Sequence, residues 1–133
     1  MFVWQATMSV GIGEFDSHHK RIIELINKLG ASLVQGDSAS VTREVLAEVS
    51  NYTLYHFFAE EDLMVKHGYP DYDAHRKEHL ELTAQTLQLM NNVYGEQAAI
   101  GREVYEFLVN WLNNHIMITD KKYSAFFSAR GLS

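Results

Sequence analysis

The sequence predicts an all-α protein, an antiparallel four-helix bundle with up-down-up-down order, and two observations support this fold class. Turn-forming residues are sparse, since the 133 residues include one proline and eight glycines, which leaves long stretches free to form helices. In addition, apolar residues recur at helical spacing in four segments of similar length. Because the connections between these segments are short, neighbouring helices are expected to run antiparallel.

The bounds of the four predicted helices come from capping and turn residues. Asp16 or Ser17 can cap the first helix by accepting hydrogen bonds from its free amide groups, and Gly36 ends it. Pro70, within a Gly-Tyr-Pro turn, separates the second helix from the third, and Gly95 loosens the chain after the third. The helices are therefore expected at about 16–36, 40–67, 72–92 and 98–115.

Two further segments flank the four predicted helices. The segment before the first helix is expected to form an arm that packs Phe2, Trp4 and Val10 against the bundle. The segment after the fourth helix is rich in aromatic residues and is expected to add a short terminal helix. No repeat, low-complexity stretch or linker interrupts the sequence, whose length suits one hydrophobic core. Residues 1–133 are therefore predicted to form a single domain, divided into an arm at 1–15, a bundle at about 16–118 and a C-terminal segment at 119–133.

Composition and charge exclude several classes of function. The formal net charge is −6 and no run of Lys and Arg is longer than two residues, so the chain lacks the basic stripe that a nucleic acid requires. It contains no cysteine, which excludes disulfides, thiolate metal sites and iron–sulfur clusters and leaves His, Asp and Glu to hold any metal. Neither a secretory signal nor a stretch of about 18 uncharged apolar residues is present. We therefore expect a cytoplasmic protein that does not insert into a membrane.

Histidines on the apolar faces of the predicted helices are the main functional signal. A lone histidine on such a face is usually a core residue satisfied by one hydrogen bond, and a pair four residues apart is often a surface accident. Several histidines on apolar faces are harder to explain as core residues, because each neutral imidazole buried without a partner costs about 1–3 kcal/mol. A bound metal is the simplest way to satisfy them. Five of the seven histidines lie on such faces, namely His19, His56, His75, His79 and His115.

The spacing within the helices decides which side chains can meet. His56 and Glu60 are four residues apart, as are His75 and His79, so the members of each pair lie only about 40° apart around a helix and can reach one metal cluster.

The spacing between His115 and Asp120 differs, because it is five residues. On a regular α-helix this separation rotates Asp120 by about 140° away from His115. If both side chains bind metal, the helix must therefore contain a π-type turn or end near Thr119.

The types of candidate ligand limit the choice of metal. Imidazole and carboxylate without thiolate suit iron, zinc, copper or manganese, and seven ligands exceed what one tetrahedral zinc accepts. Two metal ions are therefore predicted. The di-iron carboxylate sites of other helical bundles use a Glu-x-x-His motif, which is absent from this sequence, so the oxidase and ferritin-like class is disfavoured.

The candidate ligands also occur in a known order. This order resembles the hemerythrin family, and in particular the single-domain bacterial hemerythrins. The resemblance covers essentially the whole chain and includes Trp4, the Gly-Tyr-Pro turn and Tyr123. The motifs that carry it are Asp-Ser-His-His at 16–19, His56-x-x-x-Glu60, His75-x-x-x-His79 and His115-x-x-x-x-Asp120.

The resemblance implies which residues hold each of two irons and which groups bridge them. One departure concerns His18, which stands where the family commonly has Gln, so either His18 or His19 could be the first ligand. The spacing from Asp16 favours His19, and we interpret His18 and His67 as solvent-side residues. By resemblance, one iron is held by His75, His79 and His115, the other by His19 and His56, and both are bridged by Glu60, Asp120 and an oxo or hydroxo group.

This ligand set implies reversible oxygen binding. Five imidazoles, two bridging carboxylates and a one-atom bridge fill all but one position of two octahedral irons, and the open position can take O₂. The expected role is oxygen storage, transport or delivery to an oxygen-consuming enzyme, without catalysis, by a monomer. An oxygen or redox sensor acting through a partner is the alternative, and a peroxidase or nitric-oxide reductase is a third.

Four apolar residues are expected to line the oxygen pocket, although Phe57 and Ile116 could equally be core residues. They are Phe57, Trp111, Leu112 and Ile116.

Overall fold

The computed structural model describes residues 1–36, 39–94 and 100–133, which form a bundle of four long helices. The first helix contacts the second and the fourth, and the third contacts the second and the fourth, so the four surround a common interior. The predicted fold class is confirmed, and no strand occurs among the described residues. The helices are α1 (Gly13–Gln35), α2 (Ala39–His67), α3 (Tyr72–Tyr94), α4 (Ile100–Asn110) and, at the C-terminus, α5 (Ser124–Ser128).

The turn residues end two helices as predicted. Gly36 has a left-handed backbone with φ of 81° and its N–H bonds to the carbonyl of Ser32, which closes α1. Gly68, with φ of 66°, follows the last residue of α2, and α3 begins at Tyr72. The helix α3 continues beyond the predicted end to Tyr94, whereas Gly95 and the predicted start of the fourth helix at 98 lie outside the described residues.

The predicted start of α1 is wrong by three residues, because Asp16 does not act as its cap. Its carboxylate instead accepts hydrogen bonds from the Ser9 hydroxyl at 2.5 Å and from the Val10 amide at 2.9 Å. The amide of Asp16 already bonds to the carbonyl of Ile12, within the first turn. The helix therefore begins at Gly13, and the arm is shorter than the predicted 1–15.

The fourth helix changes its winding where the five-residue spacing required it. After α4, residues Trp111–Thr119 form a π-helix, followed by a 3₁₀ turn at Asp120–Tyr123. The amide of Asp120 bonds to the carbonyl of His115, five residues back. This bond pattern brings residues five apart towards one face, so the predicted π-type turn is confirmed.

The arm packs against the bundle as predicted. Phe2 and Trp4 are partly buried against the main core, and Val10 is fully buried in a second core beneath the C-terminal helix. Asn27 of α1 accepts a hydrogen bond from the Phe2 amide at 2.8 Å and donates one to its carbonyl at 2.7 Å. The arm is thus tied to α1 by both polar and apolar contacts.

Two apolar clusters sit above and below the level of the histidines. The larger cluster fills the interior between α1, α2 and α4, and the smaller one joins the arm, the end of α2 and α5. None of the described helices combines the length and hydrophobicity that a bilayer span requires. The polar residues described next lie between the two clusters, because rings of both clusters contact His56.

Candidate metal centre

The bundle brings all seven predicted ligands together, although they come from five separate elements. Each is buried, with no more than 3% of its surface exposed. Burial at this level is rare for carboxylates and imidazoles that lack a partner. Helix α1 provides His19, α2 provides His56 and Glu60, α3 provides His75 and His79, the π-helix provides His115, and the 3₁₀ turn provides Asp120.

Three of the histidines form one group around a pair of carboxylate oxygens. The Nε2 atoms of His75 and His79 lie 3.2 and 3.1 Å from Glu60 Oε1. The Nε2 atoms of His75 and His115 lie 3.0 and 3.1 Å from Asp120 Oδ1. One oxygen of each carboxylate therefore faces this three-histidine group.

The remaining two histidines face the other oxygen of each carboxylate. His56 Nε2 lies 3.0 Å from Glu60 Oε2, and His19 Nε2 lies 3.0 Å from Asp120 Oδ2. His19 Nε2 is also 3.7 Å from Glu60 Oε2. In each of the two groups, the candidate donor atoms lie within 4.8 Å of one another. Glu60 and Asp120 belong to both groups, so the arrangement is that of two adjacent sites with shared carboxylates.

The donor atoms of this cluster are mostly without hydrogen bonds. Within the described chain, the Nε2 atoms of His19, His56, His79 and His115 have no hydrogen-bond partner, and neither has either carboxylate oxygen of Asp120. Each buried polar atom left unsatisfied costs about 1–3 kcal/mol, so the cluster is expensive to maintain as it stands. Cations placed among these atoms would satisfy all of them, and imidazole with carboxylate is a donor set that first-row metals accept. The residues present fit a pair of metal ions.

The two carboxylates of the cluster stabilise positive charge on the histidines that face them. Burial disfavours a charged imidazole, but Asp120 and Glu60 outweigh burial and raise the pKa of His19 and His75 to about 9 and that of His115 to about 10. For His56, burial dominates and lowers the pKa to about 4. Burial alone would raise the pKa of both carboxyls, but the facing histidines lower it, so both stay ionised. Without metal, protons on these three imidazoles balance the two carboxylates, and metal ions would displace those protons on binding.

In each histidine of the cluster, Nε2 faces the carboxylates and Nδ1 is the outer nitrogen. Three residues that the sequence did not assign to the site bind outer nitrogens. His79 Nδ1 donates to Glu61 at 2.8 Å, and His115 Nδ1 donates to Glu78 at 3.3 Å. Glu78 also accepts a hydrogen bond from the Thr119 hydroxyl at 2.9 Å. Such outer partners fix the ring orientation of a metal-binding histidine and raise its basicity. Their only sequence signal is position, since Glu61 follows Glu60 and Glu78 precedes His79.

His18 is the third such residue, and its interpretation as a solvent-side residue is wrong. It is half-buried, and its Nδ1 lies 2.6 Å from Nδ1 of His56. His19, and not His18, enters the cluster. His67 also lies outside the cluster and is partly exposed, with its ring 6.2 Å from that of Phe127.

Two tyrosines complete the surroundings of the cluster. The hydroxyl of Tyr123, which the sequence indicated only through resemblance, donates to Glu60 Oε2 at 2.5 Å and is fully buried. Tyr52 stacks on His56, with ring centroids 4.6 Å apart, and its buried hydroxyl has no hydrogen-bond partner among the described residues. For both tyrosines, burial and the nearby carboxylates raise the pKa of the hydroxyl well above its usual value, so both hydroxyls keep their protons.

The four residues expected to line an oxygen pocket are all buried in the larger apolar cluster. Phe57 stacks on His79 with ring centroids 3.8 Å apart, and its ring lies 5.5 Å from that of Trp111. Trp111 also borders a surface cleft with His115 and Glu78. Leu112 and Ile116 are each 1% exposed. These positions place an apolar layer beside the histidines.

Comparison with known proteins agrees with the geometry of the cluster. The family described as Hemerythrin HHE cation binding domain matches residues 10–127. A bacteriohemerythrin of Methylococcus capsulatus is 31% identical over 130 residues, which cover 97% of this chain and 98% of that protein. A bacteriohemerythrin of Pseudomonas aeruginosa is 38% identical over 121 residues, which cover 91% of this chain and 78% of that protein. A crystal structure of a hemerythrin variant matches with a TM-score of 0.83 and 30% identity, covering 94% of this chain and 95% of that one. The crystal structure of a wild-type hemerythrin matches with a TM-score of 0.76 and 32% identity. With two carboxylates shared between two histidine groups and a family match over most of its length, this chain belongs to the hemerythrin family.

Proposed function

We propose that this protein binds two iron ions through the seven clustered side chains and carries molecular oxygen there reversibly. The observation that supports this most directly is the division of the carboxylate oxygens. Glu60 and Asp120 each turn one oxygen to the three-histidine group and the other to the two-histidine group. An ion on the two-histidine side therefore has one protein ligand fewer and keeps a position for a small molecule. Bound iron would supply the reversible electron transfer that oxygen carriage needs.

The residues around the cluster would keep this chemistry reversible. The apolar layer of Phe57, Trp111, Leu112 and Ile116 excludes water from the histidines, and we propose that it lines the oxygen pocket. The Tyr123 hydroxyl holds Glu60 in place through its hydrogen bond. A proton therefore stays at Tyr123 Oη while both oxygens of Glu60 remain available to the two ions.

The positions of nearby acids and bases favour carriage over catalysis. Glu61, Glu78 and His18 could act in proton transfer, but each is bound to the outer nitrogen of a histidine in the cluster. An enzyme needs an acid or base within hydrogen-bond reach of its substrate. We therefore propose a non-enzymatic role in oxygen storage, transport or delivery, and delivery would require an oxygen-consuming enzyme as partner.

The test is iron content per chain together with the visible spectrum of the reduced protein before air, in air and after purging with argon. Two irons and a band that appears with air and fades under argon would support oxygen carriage. Two irons with a spectrum that changes irreversibly in air would contradict carriage and favour sensing or catalysis. Protein without iron after expression in iron-replete medium would contradict the metal site itself.

A second candidate, oxygen or redox sensing, is favoured by one contact between the cluster and the arm. Lys121 directly follows Asp120, and its ammonium group donates to the carbonyls of Thr7 at 2.7 Å and Ser9 at 3.2 Å. A shift of Asp120 on oxygen binding could therefore move the arm and alter a partner surface. Hydrogen exchange of the arm amides with and without oxygen measures this coupling. Equal exchange rates in the two states would contradict the sensing candidate.

A further inference from the structure

His18 lies in contact with a ligand of the metal centre without belonging to it. Its Nδ1 is 2.6 Å from His56 Nδ1, and aromatic rings hold it there. The ring centroid of Tyr55 is 5.1 Å away and that of Phe15 is 6.3 Å away. The His18 and His56 rings are nearly perpendicular, at 84°. The two side chains thus meet through their Nδ1 atoms in a fixed orientation.

The distance indicates a hydrogen bond and excludes a shared metal ion. Two imidazole nitrogens on one metal at about 2.0–2.1 Å, at the octahedral angle or wider, lie at least about 2.8 Å apart. The distance of 2.6 Å is shorter than this separation, so one nitrogen donates a hydrogen to the other.

The direction of this hydrogen bond follows from the other nitrogen of His56. Its Nε2 faces the cluster, 3.0 Å from Glu60 Oε2. When Nε2 gives its lone pair to a metal, the hydrogen of a neutral imidazole must lie on Nδ1. His18 Nδ1 is then the acceptor, and the hydrogen of His18 lies on its own Nε2.

The outer partners of the two histidine groups therefore differ. His79 and His115 donate to carboxylates, whereas His56 donates to an imidazole. We infer that His18 is a positioning residue that fixes the tautomer and the ring orientation of His56, and so sets the affinity of the two-histidine side for its metal ion. This inference rests on the proposed function, because that side is the one proposed to take oxygen.

The test is a two-step titration of the metal-free full chain with Zn²⁺, with no oxygen involved. His18→Leu keeps the volume but removes the acceptor, whereas in His18→Asn the side-chain Oδ1 takes the place of Nδ1. Loss of an outer partner typically lowers metal affinity about 10-fold to 100-fold, so His18→Leu should weaken one binding step by that factor and leave the other unchanged. His18→Asn should restore the weakened step to within about threefold of the parent. His67→Leu is the matched control and should leave both steps unchanged.

A spectroscopic measurement separates positioning from a general effect on folding. In the zinc-loaded parent and in His18→Asn, long-range ¹H–¹⁵N spectra should show His56 with its hydrogen on Nδ1 in slow exchange with solvent. In His18→Leu that hydrogen should exchange rapidly.

Three outcomes would overturn the inference, and each has a distinct meaning. Parent-like affinity in both steps for His18→Leu would show that His18 does not position His56. Equal weakening of both steps in His18→Leu and His18→Asn would show that His18 acts through the fold. A parent chain that binds fewer than two zinc ions would contradict the proposed metal centre and, with it, this inference.

Discussion

The two halves of the cluster are supported differently by the protein around them. On the three-histidine side, Glu61 and Glu78 hold the outer nitrogens of two histidines. On the two-histidine side, His56 contacts an imidazole, and the outer nitrogen of His19 has no hydrogen-bond partner among the described residues. Carboxylate partners make a histidine a stronger and more rigid ligand. The three-histidine side is therefore expected to anchor its ion, while the two-histidine side can adapt to a ligand that enters and leaves.

The largest effect is expected where the two halves share a residue. Glu60→Ala removes the carboxylate that is proposed to bridge the ions and that lies 3.0 Å from His56 Nε2 and 3.1 Å from His79 Nε2, so both ions should be lost. The measurement is metal content per chain after dialysis against iron or zinc. Glu106→Ala, at a side chain that is 64% exposed, is the control and should retain both ions. Retention of two ions by Glu60→Ala would contradict the ligand assignment.

A second substitution tests the apolar layer that is proposed to line the oxygen pocket. Leu112→Ala opens a cavity in the fully packed core, which should lower the free energy of unfolding by about 2–5 kcal/mol. Admitting water should also make the air-formed band decay faster into an irreversible ferric spectrum. Chemical denaturation and the decay of the band at constant temperature measure the two effects. Leu87→Ala, at a residue 52% exposed, is the control. An unchanged decay with lowered stability would make Leu112 a core residue only.

A third substitution sharpens the comparison by weakening the anchored half. Glu78→Gln removes the charge behind His115 but keeps a similar shape, so the three-histidine side should lose about 10-fold to 100-fold in metal affinity. The two-histidine side should be unaffected. A two-step zinc titration of this variant beside His18→Leu measures both halves. If the two substitutions weaken the same step, the two sides do not have separate outer supports.

The sequence predicted the features that depend on local spacing. Four-residue and five-residue separations identified which side chains share a face, and the His115–Asp120 separation required the π-helix that the structure contains. The sequence did not predict features in which a segment far away in the chain provides the hydrogen-bond partner. Asp16 is a good cap by residue type, but Ser9 and Val10 of the arm bind its carboxylate instead. The alignment of one helix with another likewise decides that Glu78 reaches His115, and no spacing within one helix reveals such a pair.

The smallest effect is expected at Tyr52, beside the adaptable half. Its hydroxyl is buried and has no hydrogen-bond partner among the described residues, although the ring stacks on His56. An unsatisfied buried hydroxyl costs about 1–3 kcal/mol, so Tyr52→Phe should raise the free energy of unfolding of the metal-free protein by about 1 kcal/mol. Tyr123→Phe is the matched control and should lower it, because its hydroxyl donates to Glu60. Urea denaturation of the parent and both variants measures the difference. A less stable Tyr52→Phe protein would mean that the hydroxyl has a bound water or ligand as partner, which would place a further polar group next to the side proposed to take oxygen.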